Sequence, residues 1–209
     1  MVRHKLLCII CITVVLAQSC KSKDKTPPPP PLVKKEKTTP KPGDKPVKGP
    51  IINIQDSMEQ KRTVLCMKDS ASTSLGMSVK LNSIYNKKLK DFIKASKLKA
   101  SGPPMAWYKT QKAPFFFEAG IPVDKAPAKL GKGIYVKRTG GDSAVIAHFF
   151  GPNELSNVGY DALTEILKDR KKKKSSPAYE IYINNPFDSL ANRKADPYKL
   201  QTDIVMPYK

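Results

Sequence analysis

Hydrophobic patterns that predict strand, helix, strand and strand occur twice in the same order, and this repeat limits the folds open to the chain. The first series covers residues 63–123 and the second covers residues 143–208. In each series the helical part is amphipathic, with apolar residues three or four positions apart. Two such βαββ units predict an α+β fold with one mainly antiparallel sheet and two helices on one of its faces.

The element boundaries follow from apolar runs bounded by glycine and proline. The first helix is predicted within residues 75–98, and the second begins after Pro152 with Asn153 as its N-cap. A groove between the two helices, floored by the sheet, is where such a fold can hold a ligand. The strands are predicted at residues 63–67, 105–108, 115–123, 143–150, 178–184 and 200–208. The buried stripe of the second helix is predicted to contain Leu155, Val158, Gly159, Leu163, Ile166 and Leu167.

The repeat is also visible, weakly, in the letters of the sequence. Residues 102–108 resemble residues 176–182, and FEAGIPV at 117–123 resembles TDIVMPY at 202–208. In both FEAGIPV and TDIVMPY, an acidic residue precedes an apolar strand end and a proline. The order of elements is the firmer part of the evidence for duplication.

The N-terminus has the features of an export signal. A short basic stretch precedes an apolar run over residues 6–17, which is shorter than the roughly 20 residues that a membrane-spanning helix needs. The small residues that follow end in Cys20 and resemble a bacterial lipobox, so we expect a signal peptide over residues 1–19 and lipidation of Cys20. By the sorting rule of enteric bacteria, Lys21 favours the outer membrane, facing the periplasm of the cell envelope. An ordinary cleaved signal with an incidental cysteine is the alternative.

A tether is predicted between this anchor and the folded part. Residues 21–50 hold nine of the nineteen prolines, nine lysines, three acids and no aromatic residue. Such a segment buries too little apolar surface to fold, and its prolines favour an extended conformation. We therefore predict a lipid anchor and disordered tether over residues 20–60 and a ligand-binding domain over residues 61–209.

The folded part is basic. Residues 51–209 carry 27 Lys and Arg against 15 Asp and Glu, a net charge of +12. A basic domain can indicate nucleic-acid binding, but the export signal argues against a nucleic-acid partner. The lysine run at 171–174 follows the second helix, where cations complement the helix dipole. Contact of this run with anionic lipid or polysaccharide is the alternative.

The sequence offers few residues for metal or cofactor chemistry. Once the signal is removed, His148 is the one histidine, and Cys20 and Cys66 are the two cysteines. One histidine and one free cysteine do not make a zinc site. The glycines at 131, 133, 140 and 141 are typical of turns rather than of a phosphate-binding loop. We expect neither a cofactor nor a metal.

Four stretches of the folded part together carry a family resemblance. They are AGIPV at 119–123, GGDSAVIAHFFGPNELSNVGYDAL at 140–163, PAYEIYINNP at 177–186 and TDIVMP at 202–207. The series resembles the GyrI-like small-molecule-binding domains, also known as the effector-binding domains of AraC-type regulators, over residues 62–208. The resemblance implies an aromatic groove with a buried glutamate that binds cationic, lipophilic molecules; some members are hydrolases of strained electrophiles. A signal and tether replace the family's DNA-binding domain, so transcriptional control is not expected.

The resemblance also implies the site residues. Glu180 falls on the glutamate of the groove, Tyr160 falls on its helical aromatic residue, and Tyr182 shares a strand face with Glu180. Trp107 and Tyr108 fall in the equivalent strand of the first half, and the sequence does not decide which of them faces the groove. Tyr85 and Phe149 complete the predicted ligand-binding set. Strand alternation alone would instead place Glu180 and Tyr182 on a solvent-facing side.

The sequence therefore predicts membrane-anchored binding of a small amphipathic, cationic organic molecule in this groove. Two alternatives stay open. One is a cofactor-free hydrolase of strained electrophiles, with Glu180 as the acid or base. The other is a structural envelope lipoprotein whose groove has no function. The sequence does not identify the ligand, the oligomeric state or a protein partner.

Overall fold

The computed structural model describes residues 48–184, 186–187 and 195–209. The predicted signal peptide over residues 1–19, the predicted lipidation of Cys20 and the tether as far as residue 47 lie outside these residues. Within the described ranges, no helix is both long enough and apolar enough to cross a membrane.

The described residues form one eight-stranded antiparallel sheet and two long helical segments, which confirms the predicted α+β fold. The strands are β1 (Ile51–Met58), β2 (Arg62–Ala71), β3 (Met105–Tyr108), β4 (Phe115–Val123), β5 (Ile134–Thr139), β6 (Ser143–Phe150), β7 (Tyr179–Tyr182) and β8 (Gln201–Tyr208). The first helical segment consists of α1 (Ser74–Ser83), a π-helical stretch (Ile84–Leu89) and α2 (Lys90–Ala95). The second consists of a 3-10 turn (Asn153–Leu155) followed by α3 (Ser156–Asp169), and another 3-10 turn (Pro197–Lys199) precedes β8.

The sheet is built symmetrically from the two halves of the chain. Its strand order is β1-β6-β8-β7-β3-β4-β2-β5, so β7 of the second half meets β3 of the first half at the centre. The resemblance between residues 102–108 and 176–182 is reproduced in space, because it matches Ala106 with Glu180 and these two residues are paired across β3 and β7. An approximate two-fold axis therefore passes through this pair.

Two strands were not predicted from the sequence, and both lie at the edges of the sheet. β1 pairs only with β6 and β5 pairs only with β2, within the described residues. Most side chains of β1 are exposed, so its sequence lacks the buried apolar face that identified the other strands. β1 also lies within the range predicted as tether, so the folded part begins by Ile51 rather than near residue 61.

The second helix begins differently from the prediction. Asn153 starts a 3-10 turn rather than capping α3, and the residue at the N-cap position of α3 is Leu155, which makes no side-chain capping bond. Pro152 accounts for this shift, because its carbonyl already accepts the Leu155 N–H and closes a tighter turn first. Val158, predicted on the buried stripe, is 40% exposed, whereas Gly159 and Leu163 are buried as predicted.

Both faces of the sheet are buried, for different reasons. On one face, α1, the π-helical stretch and α2 cover the first half, and α3 covers the second half around Leu163 and Leu167. The opposite face is an apolar cluster to which no described helix contributes, with Cys66, Trp107 and Tyr179 among its members. When both faces of a sheet are buried, the alternation of apolar and polar residues along a strand does not show which face a polar residue lies on.

Candidate functional site

A cavity of about 330 Å³ opens between the N-terminal ends of α1 and α3, with the sheet as its floor. This is the position predicted for a groove between the two helices. The segment that joins β3 to β4 forms its third wall. The lining residues are Ser74, Met77, Ser78, Tyr108, Gln111, Lys112, Phe115, Asn153, Glu154, Ser156, Asn157 and Glu180.

Glu180 is the acid on the floor of this cavity, and it is 1% exposed. Its position on β7 places its side chain on the helix-covered face, the same face as Ala106. Burial raises the pKa of Glu180 to about 7, because the charged form loses its hydration, while the hydroxyls of Tyr182, Tyr160 and Ser156 lower it in part. The alternation that placed Glu180 in solvent is therefore wrong, and the resemblance predicted its burial correctly.

One carboxylate oxygen of Glu180 is satisfied and the other is not. The hydroxyl of Tyr160 donates a hydrogen bond to Oε1 over 3.3 Å. No described group donates a hydrogen bond to Oε2, although this atom is buried. The great majority of buried polar atoms in proteins are hydrogen-bonded, so this exception beside an open cavity sets Glu180 apart from the other buried polar groups around it.

Three further tyrosines surround the acid. The hydroxyls of Tyr108 and Tyr182 lie 2.6 Å apart, and the hydroxyl of Tyr85 donates to the backbone oxygen of Met105 over 2.8 Å. The pKa of each of these phenols, and that of Tyr160, is raised well above its usual value by burial, and the charge of Glu180 adds to the effect. All four phenols are therefore neutral around neutral pH and can act as hydrogen-bond donors.

The structure brings four of the predicted site residues together, namely Glu180, Tyr160, Tyr182 and Tyr108. Tyr85 lies behind them, where its ring packs edge-on against Tyr182 with centroids 6.2 Å apart. Tyr85 is buried and does not line the cavity, so it supports the cluster rather than contacting a ligand.

Two predicted residues lie elsewhere. Trp107 is on the opposite face of the sheet, because it alternates with Tyr108 along β3; there its ring contacts Tyr179 and lies under the Lys137 ammonium group at 4.1 Å. Phe149 is buried beneath α3 in the cluster that contains Ile204, and it does not line the cavity. The placements of Trp107 and Phe149 therefore do not support the ligand contacts predicted for them.

Most of the cavity wall was not anticipated from the sequence. Polar side chains from the first turns of the two helical segments dominate it, including Ser74, Ser78, Asn153 and Asn157. The aromatic and apolar part consists of Met77, Tyr108 and Phe115. The available signal was the repeat itself, because equivalent helix starts in the two halves converge on one side of the central strands.

The charges of the lining differ in sign from those of the domain. Glu154 and Glu180 are acidic and Lys112 is basic, so the lining carries a formal charge of −1 when Glu180 is ionised. His148 is half-buried on the opposite face of the sheet and pairs with Asp203 at 2.6 Å. Among the described residues, no group of three or more His, Cys, Asp or Glu side chains is placed to hold a metal ion.

No family model matches the sequence, and no curated protein gives a significant match. Solved structures match in fold. The C-terminal domain of EcmrR superposes with a TM-score of 0.61 at 16% identity, covering 77% of this chain and 98% of that domain. EcmrR in a complex with DNA gives a TM-score of 0.60 at 16% identity, and this chain spans 57% of the length of that protein.

SAV2435, solved with bound tetraphenylphosphonium, gives a TM-score of 0.44 at 12% identity, covering 75% of this chain and 94% of that one. The neighbours as a group are consistent with a GyrI-like effector-binding domain, the fold that the sequence resemblance implied. At these identities the likeness establishes the fold alone.

Proposed function

We propose that this chain, which has a GyrI-like effector-binding fold, binds a small amphipathic organic cation in the cavity above Glu180. The observation that carries the proposal is a buried carboxylate oxygen without a donor on the floor of an open cavity of about 330 Å³. An unmade hydrogen bond of this kind costs about 1–3 kcal/mol, and a ligand can recover that cost.

The surroundings of Glu180 favour a cation over an anion. A cation that enters the cavity replaces the lost hydration of the carboxylate and favours its ionised form. Tyr108 and Phe115 line the cavity, and an aromatic ring that turns its face to a cation adds an attraction of about 0.5–2 kcal/mol per contact. The net positive charge of the domain opposes this at long range, but salt screens exposed charges beyond about 8–10 Å.

The proposal is tested by calorimetric titration of the purified chain with a panel of amphipathic cations at about pH 8, above the pKa of Glu180. We expect Glu180→Gln to weaken binding at least ~10-fold, since a charge-assisted bond contributes about 1.5–3 kcal/mol. Glu165→Gln is the matched control, because Glu165 is exposed on α3 and does not line the cavity. Binding that survives Glu180→Gln unchanged, or a panel that does not bind at all, contradicts the proposal.

Hydrolysis of strained electrophiles is the second candidate, and the protonation chemistry of the cluster favours it. An acid with a pKa of about 7 lies within hydrogen-bonding distance of the neutral phenol of Tyr160. In epoxide opening, Glu180 would take a proton from water, the water oxygen would bond to carbon, and Tyr108, which lines the cavity, would protonate the leaving ring oxygen; the proton on Glu180 would then return to the phenolate. Styrene oxide consumption, measured by chromatography of the diol, tests this; turnover that is equal in wild type and Glu180→Gln excludes it.

We further propose that lipid on Cys20 holds the domain at the bacterial cell envelope, as the lipobox-like N-terminus suggests. Acyl chains anchor through about 0.8 kcal/mol per buried methylene group, so several chains would give stable attachment. Growth in labelled palmitate should label the wild-type chain in the membrane fraction, and Cys20→Ala should abolish both labelling and sedimentation. Cys66→Ala is the matched control; an unlabelled wild-type chain rules out the anchor.

A further inference from the structure

We infer that the ligand of this cavity presents a protonated amine with at least one N–H, rather than a quaternary ammonium or phosphonium centre. The inference rests on the proposed function, because it specifies which kind of cation the same carboxylate recognises. Its basis is the buried carboxylate oxygen of Glu180 without a hydrogen bond, which a ligand satisfies only if it brings a hydrogen-bond donor as well as a positive charge.

The acceptor is Oε2 of Glu180, which is buried and receives no hydrogen bond from any described group. A charge-assisted N–H to carboxylate bond is roughly twice as strong as a neutral hydrogen bond. A quaternary ammonium or phosphonium ion has no hydrogen to donate, and its substituents keep its charge at a distance from the oxygen. Such an ion would leave the buried acceptor unsatisfied even when bound.

Most of the nearby phenol hydrogens are already used within the cluster, and the Tyr108–Tyr182 pair keeps one. Tyr160 donates to the other carboxylate oxygen, and the hydroxyls of Tyr108 and Tyr182 bond to each other at 2.6 Å. The hydroxyl of Tyr85 is committed to the backbone oxygen of Met105. Neither the remaining hydrogen of the Tyr108–Tyr182 pair nor the hydroxyl of Ser156 bonds to Oε2, and Glu180 lines the cavity, so a ligand that enters there is the donor we infer.

The polar lining of the cavity favours a ligand that forms hydrogen bonds. Nine of its twelve lining residues are polar or charged, with Gln111, Asn153 and Asn157 able to donate and to accept. A quaternary cation, whose charge is covered by hydrocarbon, would lie against these side-chain amides without forming hydrogen bonds to them. The volume of about 330 Å³ is also near the lower end of the range for ligand pockets, which favours a compact amine.

The test compares two cations that differ only at nitrogen, namely 2-phenylethylamine and its N,N,N-trimethyl analogue. Calorimetric titration at about pH 8 keeps the amine charged and Glu180 ionised. We expect the amine to bind wild-type protein at least ~10-fold more tightly than the trimethyl analogue. Tetraphenylphosphonium serves as the bulky cation without an N–H and should bind no more tightly than the trimethyl analogue.

The preference should depend on the carboxylate. In Glu180→Gln the ratio of the two affinities should fall to within about threefold, and in the control Glu165→Gln it should stay as in wild type. If Glu180→Gln does not fold, the affinities of the two ligands for the wild-type protein still test whether the site prefers a cation with an N–H. Trimethyl or phosphonium ions that bind as tightly as the amine, in a manner that depends on Glu180, overturn this inference and leave cation binding intact. Failure of every cation to bind overturns both.

Discussion

The hydroxyls of Tyr108 and Tyr182 meet at 2.6 Å although the two residues lie 74 positions apart in the chain. They occupy equivalent places in the two halves, one on β3 and one on β7, on either side of the pair formed by Ala106 and Glu180. The cluster around the acid is therefore shared between the halves, and neither half contains it alone. Glu180 breaks this local symmetry, since its counterpart is Ala106.

Removal of either hydroxyl should destabilise the fold modestly and non-additively. We expect Tyr108→Phe and Tyr182→Phe each to lower the free energy of unfolding by about 1 kcal/mol, because each leaves the other hydroxyl without its partner. The double variant should lose less than the sum, since the second change removes no further bond. Urea denaturation of all four proteins measures the coupling. Strictly additive losses would show that the contact contributes nothing.

Glu180→Gln should change how stability depends on pH. The folded-state pKa of Glu180 is raised from 4.5 to about 7, so the folded protein keeps a proton that the unfolded chain releases between these values. Wild-type stability therefore falls as pH rises through this window, and the glutamine variant lacks this contribution to the loss. Between about pH 4 and pH 8 the variant should gain about 3 kcal/mol relative to wild type, from 1.36 kcal/mol per pKa unit.

Denaturant unfolding of the two proteins at both pH values measures this difference. The pKa of Glu59 is also raised by burial, but Glu59 is present in both proteins and its contribution cancels. A difference in stability that stays constant with pH would show that Glu180 is not desolvated in the folded protein.

Gly120→Ala should be strongly destabilising, although Gly120 lies in the middle of a regular strand. An added Cβ would lie 2.6 Å from a methyl group of Val64 and 2.9 Å from the backbone oxygen of Leu65, so β2 and β4 would have to separate. We expect a loss of about 1–3 kcal/mol in thermal or urea unfolding. Gly102→Ala is the control, because its nearest contact, with Pro122, is an ordinary 3.6 Å, and it should change stability by less than about 1 kcal/mol. Equal effects of the two substitutions would contradict the packing described here.

Cys66 should resist alkylation while the protein is folded. It is fully buried, and burial raises the pKa of its thiol to about 12, so little thiolate forms at neutral pH. We expect iodoacetamide to modify Cys66 rapidly in urea and at least ~100-fold more slowly in buffer, as measured by mass spectrometry of the Cys66 peptide. Rapid labelling in buffer would show that β2 opens readily from the sheet.

The sequence predicted β3, β4 and β6 to the residue, predicted β2, β7 and β8 with shifted ends, and missed the two edge strands. β3, β4 and β6 begin and end where continuous or alternating apolar residues meet glycine, proline or a charged turn. β1 and β5 are edge strands whose side chains are largely exposed or half-buried, so their patterns do not differ from those of loops. In β5 only Ile134 and Val136 pack against the core on the helix-covered face, a run too short to identify the strand.

The site was predictable in part, for a physical reason. The resemblance correctly predicted the burial of Glu180, but alternation could not, because both faces of β7 are buried and neither faces solvent. The same ambiguity left Trp107 and Tyr108 undecided, and the structure assigns them to opposite faces. The polar wall formed by Ser74 and Asn157 depends on how the two helices converge, which is a tertiary relationship that no local pattern reports.

Strand β1 determines where the N-terminal segment joins the folded part. It forms one edge of the sheet, and β6 and β8 separate it from the strand that carries Glu180, a distance of about 14 Å. Tension transmitted along the chain from its N-terminus would act on the contacts of Lys48 with Tyr198 and then on the eight residue pairs between β1 and β6. Such a force would detach an outer strand before it reached the tyrosine cluster around Glu180.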